Sequence, residues 1–123
     1  MLYIGVFGGL GCVARYLVTL WTQQLAGHGF PHGTLLVNVS GSLLLGLLLS
    51  MGVRGLPLST ELRFGLSVGF LGGFTTFSTF SYQTLLLLEE GSFWSAGLNV
   101  LLNLSLCLLG AFAGVMVGRQ LAG

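Results

Sequence analysis

The sequence predicts an all-α integral membrane protein with four transmembrane helices per chain, the third broken midway. Three observations carry this. Hydrophobic residues make up 54% of the 123-residue chain and charged residues only 6%, where a soluble domain carries about 25% charged. The few charges fall mostly between apolar runs of the roughly 20 residues needed to cross about 30 Å of hydrocarbon. The third run holds glycine pairs and adjacent hydroxyl residues at its centre, a poor helix interior because hydroxyls compete for backbone hydrogen bonds. A soluble fold of this length could not hide so much apolar surface, because small domains have a high surface-to-volume ratio.

The predicted spans are about 2–25, 34–53, 62–88 and 93–118, forming a single domain over 1–123. Between them lie AGHGFPHG, RGLPLSTE and EEGS, which hold both prolines and most of the charge, as loops at a membrane surface should. The first span is not a secretory signal: it lacks a basic start, is too long, and carries Arg15. Its Gly5, Gly8, Gly9, Gly11 and Cys12 offer close helix approach. The second places Asn38, Ser42, Gly46 and Ser50 at intervals of four, a small and polar stripe opposite leucines. The fourth aligns Asn99, Asn103 and Cys107, followed by Gly110, Gly114 and Gly118. Cys12 and Cys107 both fall inside spans and read as small packed residues rather than a disulfide. One such chain is too thin to bury all its polar stripes, so a homo-oligomer is expected, most simply a two-fold dimer.

Four spans put both termini on one side, with Arg54, Arg63 and Arg119, while Glu89 and Glu90 lie on the other. The positive-inside rule then favours cytoplasmic termini.

The third span is the leading functional segment. The break is expected over GFLGGFTTFSTFS, residues 69–81. Non-helical backbone at membrane depth survives only when buried in protein or facing a water-filled cavity. Broken helices also expose carbonyls and amides that hold ions. Phe74, Phe77 and Phe80 recur every three residues among Thr75, Thr76, Ser78, Thr79 and Ser81. Two readings of the rings stand: helix packing, or positive ring edges that attract an anion beside hydroxyl donors. Such a route carries no full charge to trap the ion, which conduction requires. Asn38 is either a helix–helix hydrogen bond or a polar contact on that route. Arg15 is either an anion attractor or a snorkelling or carbonyl-paired arginine.

His28 and His32, four apart in a loop without a third ligand, do not read as a metal site. Glu89 and Glu90 read as a solvated helix end. No nucleophile–base pair, phosphate loop or metal cluster is found, so no enzyme and no nucleic-acid partner is expected.

These motifs resemble the Fluc (CrcB-type) family of fluoride channels along essentially the whole chain. GGLGCVARY (8–16) is similar to the family's first-helix GGxGAxxRY, with Cys12 in place of alanine. GTLLVNVSG (33–41) resembles GTLxVNxxG, and GFLGGFTTFSTFS resembles the third-helix signature. The resemblance implies an antiparallel, dual-topology homodimer in a prokaryotic cytoplasmic (inner) membrane, with two fluoride pores lined by both subunits. It makes Asn38 the pore asparagine, Phe77 and Phe80 the rings that meet fluoride edge-on, and Ser78 and Thr79 a polar track. Arg15 would stand at the vestibule. Backbone carbonyls of Gly72 and Thr75 from both subunits would hold a structural Na+. Asn99 stands where some members carry a pore tyrosine, and Asn99 and Asn103 are candidate pore residues. The charge bias favours one orientation, which leaves an oppositely oriented homologue as the alternative partner.

Two rival readings are a small multidrug-type exporter and a structural membrane subunit. The exporter needs a membrane-embedded carboxylate, usually in its first helix, and residues 2–25 contain none. The subunit reading would leave the broken third span without a purpose.

Overall fold

The computed structural model describes residues 1–53 and 58–121. Helix α1 (Leu2–Ala26) leads to α2 (His32–Val53), then to the short α3 (Thr60–Phe64). A π-helical turn (Gly65–Leu71) and a last turn (Gly72–Phe74) continue α3. Helices α4 (Phe77–Glu89) and α5 (Phe93–Leu121) complete the chain, and no strand occurs among the described residues. Arg54 and Pro57, assigned above to the second loop, lie outside the described residues.

Helices α1, α2 and α5 are each long and apolar enough to cross a membrane. The third crossing is shared between the α3 stretch and α4. The ends follow from local chemistry. Helix α1 stops at Gly27, whose φ of 78° favours glycine and whose N–H closes on the Gln23 carbonyl at 2.9 Å. Pro31 precedes α2 and needs no N–H bond there. Ser59 caps α3, its hydroxyl accepting from the Leu62 N–H at 3.1 Å. Between α4 and α5, Gly91 adopts φ 80°. Its N–H reaches Leu88 (3.1 Å) and the Ser92 N–H reaches Leu87 (2.8 Å). Those two bonds make a Schellman closure that fits the turn into very few residues.

Small residues set the register. Along α1 and the third crossing, Phe7 packs at Gly65, Gly8 at Gly69 and Cys12 at Gly73, so these two run in the same direction. Along α2 and α5, Val39 meets Gly110, Leu43 and Leu47 meet Gly114, and Ser50 meets Gly118, again in the same direction. Thr19 and Thr22 near the end of α1 meet Gly33 at the start of α2, which therefore runs oppositely. The crossings alternate up, down, up, down. A side chain at Gly11 would run into the Phe70 carbonyl, and one at Gly114 into the Leu43 carbonyl. Backbone-to-backbone approach of this kind replaces the hydrophobic drive that lipid does not supply.

The buried apolar core is small: Val37, Leu71, Phe80, Leu87 and Ala96. Rows of leucine, valine and aromatic side chains face outward, as they must in a chain whose solvent is hydrocarbon.

The break is narrower than the 69–81 expected from the sequence. Only Thr75 (φ −87°, ψ 158°) and Thr76 (φ −155°, ψ 121°) leave the helix. Residues 65–71 stay helical by widening to a π turn, a form concentrated at functional sites. Residues 77–81 are regular helix, which the Thr76 cap starts. Thr76 Oγ1 caps α4 by accepting from the Thr79 N–H (3.2 Å), and Ser81 Oγ donates back to the Phe77 carbonyl (3.0 Å).

Candidate functional site

Breaking a helix strands backbone groups, and side chains from α1 and α2 collect some of them. In an unbroken helix the Thr76 N–H would bond the Gly72 carbonyl. Here it donates to Asn38 Oδ1 at 2.8 Å, while Asn38 Nδ2 donates to the Thr76 carbonyl at 3.0 Å. The Asn38 amide thus clamps the peptide groups of the break as a paired strand would. The Gly73 carbonyl accepts from Arg15 Nε at 3.0 Å, a carbonyl pairing that engages one edge of the guanidinium. The Thr79 N–H, due to Thr75 in an unbroken helix, goes to Thr76 Oγ1. Gly72 and Thr75 are therefore two carbonyls whose helical partners have been diverted.

From Asn38 a chain of amides crosses to α5 and returns to α4. Asn38 Nδ2 donates to Asn103 Oδ1 (3.1 Å), and Asn103 Nδ2 donates to the Asn99 carbonyl (2.8 Å) and Asn99 Oδ1 (3.0 Å). Asn99 Nδ2 donates to Thr84 Oγ1 (2.8 Å), and Thr84 donates to the Phe80 carbonyl (2.8 Å). Asn99 is fully buried and Asn103 is 5% exposed. Buried polar groups are costly unless bonded, and this chain bonds each amide to the next.

Two cavities meet at the break. The larger, about 390 Å³, is an open cleft lined by Asn38, Ser42, Thr75, Phe77, Phe80 and Asn103, among others. The second, about 280 Å³, is lined by Cys12, Arg15, Thr34, Thr76, Thr79 and Gln83, among others. Thr76 borders both, so the Asn38–Thr76 clamp stands between them. A third cavity of about 190 Å³ shares Thr19, Thr34 and Gln83 with the second and opens toward His28, His32 and Glu90.

The sequence-selected residues do not all gather on one wall. Asn38, Phe77, Phe80, Thr75, Gly72 and Asn103 share the large cleft. The Phe77 and Phe80 rings sit 5.4 Å apart, tilted by 54°. Phe80 is buried while Phe77 is 74% exposed in the single chain. Phe74, third in the same every-third pattern, lies before the break and stacks on Phe70 at 5.8 Å. Thr79 and Arg15 line the second cavity. Ser78 is exposed, its hydroxyl 3.4 Å from that of Thr76. Asn99 lies behind Asn103, sealed between α4 and α5.

Two participants, Thr84 and Gln83, escaped the sequence reading, and a third, Thr76, was read only as one hydroxyl among several. Thr76 supplies the clamped peptide, Thr84 extends the amide chain, and Gln83 borders both smaller cavities with a buried side-chain oxygen that has no hydrogen-bond partner. The usable signal was helical spacing: Thr76, Thr79 and Gln83 fall three and four apart, a polar face inside an apolar span.

A chain of alternating crossings, with a two-residue break clamped by an asparagine and bordered by two cavities, is a multi-pass membrane protein built around an interrupted helix. Residues 2–115 match the model of the CrcB-like family, described as camphor resistance (CrcB). A relative from Geobacter sulfurreducens is 58% identical over 121 residues, covering 98% of both chains. One from Syntrophotalea carbinolica is 51% identical, again over 98% of each. One from Geobacter metallireducens is 51% identical, covering 96% of this chain and 95% of the other. All three are named fluoride-specific ion channel FluC. The chain belongs to the CrcB-like family.

Proposed function

We propose that this protein is a passive fluoride-selective channel, not an enzyme, working in a prokaryotic cytoplasmic membrane. The observation that carries the reading is the cleft at the break, where the Asn38 amide and the Phe77 and Phe80 rings line one wall without a charged side chain. The names of full-length relatives at 51% and 58% identity support fluoride as the ion.

The chemistry of each group fits a small, strongly hydrated anion. Arg15 raises the local concentration of anions in the second cavity, where Thr34, Thr79 and Gln83 offer hydroxyl and amide donors. At the clamp, both Asn38 Nδ2 protons are held by the Thr76 carbonyl and Asn103 Oδ1, so a passing ion would have to take one of them over. Beyond it, the positive edges of Phe77 and Phe80 replace part of the hydration shell. Ser42 and Asn103 supply further polar contacts along the same cleft. Past Arg15, the residues lining the large cleft carry no full charge, so each contact there is weak enough to release the ion to the next.

The working unit is an antiparallel homodimer with two pores. The face carrying Gly72 and Phe77 is uncovered in the single chain, and a second copy would close the cleft on that side. An oppositely oriented homologue would close it in the same way. A structural Na+ fits the break. The Gly72 and Thr75 carbonyls have lost their helical partners, and hard cations take oxygen ligands of this kind. Two such carbonyls from each chain would hold the ion where the breaks meet, and its charge would fix the interface.

The direction of transport follows from physical chemistry. Fluoride enters acidified cells as neutral HF, dissociates, and is trapped as an anion. A passive pore lets the inside-negative potential expel it. Purified protein in liposomes should therefore release fluoride rapidly, followed with a fluoride electrode. Retention of fluoride by well-folded protein would sink the reading.

A further inference from the structure

The amide chain behind the cleft has a fixed direction, and its ends lie at two of the proposed pore positions. Backbone groups set that direction. The Thr76 N–H can only donate and its carbonyl can only accept, so the Asn38 amide has one orientation. Its second Nδ2 proton goes to Asn103 Oδ1. The Asn99 carbonyl can only accept, so Asn103 must present Nδ2 to it. Asn99 Oδ1 is then an acceptor, its Nδ2 donates to Thr84, and the Thr84 proton ends on the Phe80 carbonyl. From Asn103 Oδ1 to the Phe80 carbonyl the donors follow one another in a single sense, and chains of aligned hydrogen bonds polarise one another.

We infer that Asn99, Asn103 and Thr84 form a positioning relay that holds the Asn38 amide in register with Phe80 and so sets fluoride rate and selectivity. Asn99 borders none of the three cavities at the break. Any effect of its side chain on permeation must therefore travel through Asn103 or Thr84. The inference rests on the channel reading above, and it assigns Asn99 to positioning rather than to the pore wall.

The test uses the full-length protein in liposomes with three variants. Asn99→Leu removes the relay's centre while keeping the branched shape, and Thr84→Val removes its far end should the first fail to fold. Asn99→Asp keeps the shape. Its protonated carboxyl has one oxygen to accept from Asn103 and one O–H to donate to Thr84, whereas the ionised form has no donor. We expect Asn99→Leu and Thr84→Val to lower fluoride flux about fivefold with the assembly intact, roughly the weight of one net hydrogen bond. Asn99→Asp should approach wild-type flux at acid pH and fall to the Asn99→Leu level as pH rises. Neither wild type nor Asn99→Leu should show that profile.

A merely structural role for Asn99 would make the loss of flux in each variant track the loss of assembled protein. In parallel, the side-chain amide resonance of Asn38 should shift in Asn99→Leu and Thr84→Val protein. Wild-type flux in both neutral variants, or an Asn38 resonance that does not move, would overturn the relay. Wild-type protein that passes no fluoride would instead overturn the channel reading, and the resonance test would still decide the relay.

Discussion

The Asn38 side chain does at least two things in this structure. It satisfies peptide groups stranded by the break, and it lines the cleft. Asn38→Ala should therefore slow fluoride flux by about tenfold or more, since removing one partner of a buried hydrogen bond costs about 1–3 kcal/mol. The assembly should survive, as size-exclusion chromatography would show. Phe80→Ile keeps an apolar group of moderate size but removes the ring edge, and it should likewise slow flux without dissociating the protein. Dimer loss in proportion to flux loss would mean that these two residues serve packing instead. At the residue scale the sequence was half legible. The Asn38, Phe77 and Phe80 positions stood out by type and spacing. Gln83 and Thr84 did not, because one glutamine or threonine in a leucine-rich run carries no signal until the helix phase is known.

At the scale of the element, the third crossing was legible as broken but not in its form. Glycine pairs and hydroxyl runs marked the right stretch, yet the same residues allow either loss of helix or a cap. The two threonines divide these tasks, Thr75 ending one helix and Thr76 capping the next. What decides the matter is the partner across space, Asn38, which is 38 residues distant in sequence. Pairings of that kind have no local periodicity to reveal them. Two glycine substitutions separate the roles of the crossing and its neighbours. Gly72→Val adds bulk at the exposed break and should weaken association of two chains, read as a shift toward monomer. A dimer that persists unchanged would argue against an interfacial ion there. Gly114→Val should act within one chain, because its side chain would meet the Leu43 carbonyl between α2 and α5. Overpacking of this kind costs about 1–3 kcal/mol, and a lower thermal midpoint in detergent should record it.

For the whole molecule, the number and length of the crossings were legible from hydropathy alone, because crossing hydrocarbon imposes a minimum apolar length. Which helices pair was not legible, although the glycines that allow the pairing were. Packing of α1 on the third crossing and of α2 on α5 leaves the cleft at the break open on one side. That opening gives the case for two copies its physical content. One chain supplies an open cleft and the Asn38 clamp but not an enclosed path.

The central claim is that this path selects fluoride, and a reversal potential tests it most directly. Purified protein in a planar bilayer would face fluoride on one side and chloride on the other at equal concentration. The account predicts a current carried by fluoride alone, with the reversal potential displaced far toward the fluoride equilibrium value. A reversal near zero, with chloride carrying comparable current, would contradict it.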